Sequence, residues 1–237
     1  MISRKLDAGN GMFDMMVFIP LALLILFVGT DIGLSKLDQA MVNDAVREGM
    51  HSQLVQSGHS IYKAAGDSII IDHQLATSTA KNMADRIASS VINRRTNFLS
   101  SNPHEKLSVN VSLVELDIDE TTGAVSGFSL INTQSSSLAS ATLQLPTKVS
   151  FKSDQEFLND RFSANGGSSK IAGIIAPSYL TSTNTLVTTP SKTYLKKSAA
   201  YLISAEAIAM SINPGWLDQV LGSQLGFQIK EFELIRK

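Results

Sequence analysis

Between Met15 and Gly29 the chain carries no charged side chain, and only Asp14 separates that run from Met12 and Phe13. Counted from Met12 to Thr30, the apolar stretch approaches the roughly 20 helical residues that cross about 30 Å of hydrocarbon. The first expectation is therefore a membrane span. Arg4 and Lys5 precede it, whereas the segment after it mixes Asp31, Lys36, Asp38 and Asp44. Positive charge ahead of a first hydrophobic helix keeps that end in the cytoplasm, so everything beyond Gly33 is expected on the extracytoplasmic side. A removable signal peptide shares the basic start and the apolar core. Here, however, the core is long and ends Val28, Gly29, Thr30, Asp31, Ile32, Gly33, without a small-x-small cleavage site. An anchor that is uncleaved, or cut on its cytoplasmic side, fits better.

Asp14 is the unusual residue. A carboxylate at the edge of hydrocarbon costs up to roughly 2.5 to 3.5 kcal/mol and calls for a partner. The layout around it is a short basic leader, Gly9, an acidic residue at the fifth position after that glycine (Asn10, Gly11, Met12, Phe13, Asp14), and then an apolar helix. This resembles the class III signal of type IV pilin-like proteins, which a prepilin peptidase cuts after the glycine. Pro20 lies six residues beyond the acidic position, Gly29, Asp31 and Gly33 close the span, and Gln39 leads into Asn43, Asp44, Ala45, Val46, Arg47, Glu48, Gly49. In those first fifty or so residues the chain is similar to the TadE-like proteins of tight-adherence (Tad/Flp) pilus systems. It carries Asp14 where that family usually has glutamate and Met15 where phenylalanine is usual. The resemblance implies cleavage between Gly9 and Asn10, assembly through the charge of Asp14, and pilin-like subunits, a prepilin peptidase and the pilus assembly machinery as partners in a bacterial inner membrane. Independently of the resemblance, cleavage there would free an α-amine at Asn10, one helical turn from Asp14 and mostly protonated near neutral pH. Gly29 and Gly33 form a small-x-x-x-small pair that lets a second helix approach, and Pro20 would kink the span by removing one backbone hydrogen bond.

The remainder reads as one ordinary domain. Leu34, Leu37, Met41 and Ala45 recur at helical steps with Lys36, Asp38, Asp44 and Arg47 around them, an amphipathic stem that could run unbroken to Ser57 before Gly58. A second helix is expected from Gln74 to about Leu99, with a stripe of Leu75, Met83, Ile87 and Val91 and close-packing Ala76, Ala80, Ala84 and Ala88. Arg94 and Arg95 would be its polar end. The period then changes to two: Leu107, Val109, Val111 and Leu113 alternate with Ser108, Asn110 and Ser112 before the phase slips to Val114, Leu116 and Ile118. Such a slip turns a strand over unless a bulge absorbs it. After a turn at 119–123, Val125 to Ile131 reads as the returning strand of a hairpin.

Further on, Thr142 to Phe151 is a strand candidate interrupted by Pro146, Asp154 is placed to cap a short helix through Phe162, and Ile171 to Ala176 is a short apolar strand. Ser178 to Ser191 reads as a long loop. Alanine-rich Tyr194 to Ile212 reads as a helix, with a strand over Ala199 to Ser204 as the alternative, Trp216 opens a short amphipathic turn, and Phe227 to Ile235 reads as a last strand. The expected organisation is a leader at 1–9, a transmembrane helix at 10–33, an amphipathic stem at 34–58 and an extracytoplasmic domain at 59–237. Its fold class is α+β: a long transmembrane and stem helix followed by helices and a small antiparallel sheet.

Composition narrows the chemistry. The net charge of -1 offers no basic field for a nucleic-acid backbone, and the absence of cysteine removes disulfides and thiolate metal sites. The four histidines, His51, His59, His73 and His104, lack ligand spacing. Asp117 and Asp119 open like a calcium loop, but the twelfth position from Asp117 is Phe128 instead of glutamate. No nucleophile elbow or phosphate loop occurs, and Glu115 and Asp117 are expected on the polar side of a strand. No catalytic residue, cofactor or metal is therefore assigned. Three functions stay open: a pilin-like structural or assembly subunit, an unprocessed signal-anchored scaffold or binding protein, and an anchored enzyme.

Overall fold

The computed structural model describes residues 7–57, 61–65, 68–95, 106–119, 124–140, 143, 151–163, 197–209 and 226–235. Helix α1, Asp7–Ser57, is a single 51-residue helix with Pro20 inside it. At 1.5 Å per residue it is about 75 Å long. It is followed by a small hairpin, β1 (Tyr62–Ala65) and β2 (Ser68–Ile71), which the periodicity of the sequence does not disclose. Helix α2, His73–Arg95, starts on Asp72, whose carboxylate accepts the backbone N–H groups of Gln74 and Leu75 and pairs with Lys63. The second sheet contains β3 (Leu107–Ile118), β4 (Val125–Ser135), β5 (Lys197–Ile208) and β6 (Gly226–Leu234), in the antiparallel order β4-β3-β5-β6. Helix α3, Asp154–Ser163, completes the described elements. The fold class is α+β.

The sheet has two cores because it is covered on both faces. Leu107, Val109, Val111 and Leu113 of β3 join Tyr201, Ile203 and Ala205 of β5 in a cluster with α1 and α2. Val114, Leu116 and Ile118 join Ala200, Leu202 and Phe232 under Leu158 and Phe162 of α3, where the Phe162 ring meets Phe128 and Phe232 at 5.6 Å. The phase slip after Leu113 is explained by this change of covered face. Pairing of β3 with β5 runs unshifted from Leu107 with Ala207 to Asp117 with Lys197. The bulge belongs to β4: Leu113 faces Asn132 and Val114 faces Leu130, which leaves Ile131 as the extra residue, 40% exposed.

Three expectations are corrected. The helix expected over Tyr194 to Ile212 is, in its described part, strand β5, the alternative reading extended at both ends. Alanine favours helix intrinsically, but β5 is central and buried on both faces, so burial outweighs propensity. The cap of α3 is Ser153 and not Asp154: Glu156 N–H donates to Ser153 Oγ, while Ser153 N–H and Oγ–H donate to Glu156 Oε2, a reciprocal capping box. Asp154 instead accepts from Lys230 at 2.5 Å and from Ser112 Oγ at 2.9 Å. The stem's buried stripe is also rotated, to Asp38, Val42, Ala45, Val46 and Gly49, with Leu37 47% exposed. Expectations for 171–176, 178–191 and Trp216 lie outside the described residues, as does most of 142–151, of which Leu143 and Phe151 are described and belong to no strand.

Candidate membrane anchor and stem junction

Helix α1 divides into two parts. From Met15 to Phe27 its large apolar side chains are between 38% and 67% exposed. The helix is long and apolar enough to cross a membrane, and nearly all of its most apolar stretch lies bare. Polar groups are contained locally: the Thr30 hydroxyl donates to the Leu26 carbonyl at 2.7 Å. Pro20 has no N–H to give to the carbonyl one turn earlier. The candidate residues Gly9, Asn10 and Asp14 lie in the described backbone of α1, in its first two turns. A Cβ built on Gly29 or Gly33 meets nothing within 4 Å, so both positions are open on the helix surface.

From Asp31 onward the same helix packs into the domain. Helices α1 and α2 run antiparallel, with Gly49 against Ile87 and Asp38 against Arg95. A Cβ at Gly49 would sit 2.4 Å from Ile87 Cγ1, so only glycine allows this approach without displacement. Along α2, Ala76, Ala80, Ala84 and Ala88 are fully buried, as the stripe of small residues predicts. Arg47 and Arg94 of the outer faces reach Glu231 at 3.7 Å and Glu48 at 3.0 Å.

Arg95 is the main surprise of the junction. Expected at the polar end of a helix, it is completely buried, and so is Asp38. Arg95 Nε donates to Asp38 Oδ1 at 3.0 Å and an Nη to Oδ2 at 2.6 Å, a two-pronged pair. Its remaining donors reach the carbonyls of Lys106 at 3.2 Å and Ile208 at 3.4 Å. One guanidinium therefore ties the stem to the end of α2, the residue before β3 and the last residue of β5. Asp31, one heptad before Asp38 on the same face, is 2% exposed. The available signal is a carboxylate in phase with Val42, Ala45 and Gly49, but a charge inside an apolar stripe reads as its edge unless its partner is known.

The far end of the domain is held by two phenols. Tyr62 Oη donates to the Ile235 carbonyl and accepts the Ala199 N–H, and Tyr201 Oη donates to the Ala76 carbonyl at 3.0 Å. Burial raises both phenols above their ordinary pKa. Glu115, expected to face water, is only 12% exposed and lies between Lys197 at 2.5 Å and His73 at 3.5 Å. Glu115 accounts for the raised pKa of Lys197, chiefly through their hydrogen bond. Among the described residues no group of three or more His, Asp or Glu side chains could hold a metal ion. No protein-family profile, curated protein or solved structure matches this chain.

Proposed function

We propose that this chain is a TadE-like minor pilin or pseudopilin, a membrane-anchored structural or assembly subunit of a Tad/Flp-type pilus, processed after Gly9. The observation that carries the reading is the division of α1: one continuous helix bares its apolar first half and builds its second half into a domain. Such a helix can exchange lipid for the helices of neighbouring subunits while the domain it carries stays folded. Leader processing is supported by the spacing of Arg4, Lys5, Gly9 and Asp14. The new α-amine of Asn10 and the Asp14 carboxylate would then neutralise each other, or pair with those of adjacent subunits. Gly29 and Gly33, open on the helix surface, suit the close approach of a second helix. The basic leader places the N-terminus in the cytoplasm and the domain outside the inner membrane. The role is structural, and no residue is given a catalytic one.

The decisive experiment is mass spectrometry of the N-terminus in membrane and sheared-surface fractions, with and without the prepilin peptidase. A chain beginning at Asn10 only when the peptidase is present is the expected result, and its recovery in the sheared fraction would place it in the filament. A chain beginning at Met1 in both strains would replace this reading with an unprocessed signal-anchored scaffold.

A further inference from the structure

We infer that the buried Asp38–Arg95 pair sets the register of the stem on the domain, fixing how far the bare part of α1 projects. Helix-to-helix packing here is poorly marked along the axis. The buried alanines of α2 recur every four residues at 76, 80, 84 and 88, so a one-turn slip lays alanine where alanine was. On α1 the facing residues Val42, Ala45 and Val46 are small and apolar as well. A slip of one turn moves the domain about 6 Å along the stem. In the direction that brings Ala45 opposite Ile87, it also brings Leu34 opposite Arg95. The guanidinium would then be buried without its carboxylate, which is strongly unfavourable. Two features of the buried helix seam, among the described residues, resist this slip: the notch in which Gly49 receives Ile87, and the ion pair. A buried pair adds little net stability compared with well-packed apolar residues, but it penalises every register in which its members are apart.

The absence of cysteine makes the register directly readable. The Gly49→Cys/Ile87→Cys variant places its Cβ atoms about 3.7 Å apart, inside the range for a disulfide. Ala45→Cys/Ile87→Cys reports the slipped register. Substituting Ile87 and Gly49 also removes the notch, leaving the ion pair as the mark under test. In the full chain in detergent, mild oxidation should favour the 49–87 bridge over the 45–87 bridge by about 100-fold or more while the ion pair is intact. Adding Asp38→Leu/Arg95→Met should bring the two yields within about tenfold of each other, with the melting temperature of the otherwise unsubstituted chain unchanged or raised by that double substitution. If the 49–87 bridge stays dominant without the ion pair, register is set by packing and the inference fails. It fails equally if the double substitution abolishes the cooperative melt, because the pair would then serve stability.

Discussion

The two halves of α1 contrast in a way that hydropathy alone would reverse. The half with the most apolar side chains lies bare from Met15 to Phe27, whereas the half carrying Asp31 and Asp38 buries both carboxylates. Burial in this molecule follows the supply of partners. The first half finds none among the described residues and has the length and composition that lipid would cover. The second half meets α2 and the edge of the sheet, which bring Arg95 to Asp38 and Ile87 to Gly49. One helix thus has a bare part and a packed part, and the boundary lies near Asp31.

Breaking the charged contact tests the packed half most severely. Arg95→Met leaves Asp38 buried without its counter-charge and should destabilise the domain by about 3–5 kcal/mol, read as a lower midpoint in denaturant titration of the full chain in detergent. A melt unchanged by this variant would mean that Asp38 is satisfied without Arg95. The bare half is tested by Leu23→Arg, at a side chain 49% exposed. Membrane insertion should weaken by about 2.5–3.5 kcal/mol, measured as loss from carbonate-washed membranes, while the melt of the domain stays as it was. Equal effects of these two substitutions on the domain would erase the distinction between the halves.

Smaller changes sharpen the same contrast. Gly49→Ala pushes a methyl onto Ile87 and should cost about 1–3 kcal/mol in the melt, whereas Gly29→Ala, in open space, should leave it unchanged. Ser153→Ala removes the capping hydroxyl of α3, far from either half of α1, and should cost about 1 kcal/mol. The smallest effect concerns pH. Asp72 is held below the ordinary carboxylate pKa, first by its bond to Lys63 and then by the N–H groups at the start of α2. Its folded pKa is the lower one, so its contribution is present above the unfolded carboxylate pKa of about 4 and is lost as pH falls through the folded value. The melt of Asp72→Asn should therefore depend less on pH than that of the unsubstituted chain between neutral pH and about pH 3, by differential scanning fluorimetry.

How much of this is legible in the sequence depends on whether a residue's partner is near it along the chain. The long helix ending at Ser57, the second helix and the β3–β4 hairpin arise from patterns within a few residues, and each is readable. Strand β5 reads as a helix in isolation because alanine has high helix propensity, and its place between β3 and β6 is decided by neighbours about 90 residues before it and 30 after it. Arg95 reads as exposed because its carboxylate lies 57 residues earlier.

The sequence by itself determined that a helix with a long apolar stretch, charge-free from Met15 to Thr30, leads an α+β domain, because hydrophobic period and charge-free length are local properties of the chain. Only the tertiary structure decided which face of the stem is buried and that the sheet carries a core on each face. It also decided that Asp38 and Arg95 meet in the interior. Each of these depends on which distant segments come together, and no local pattern encodes that pairing.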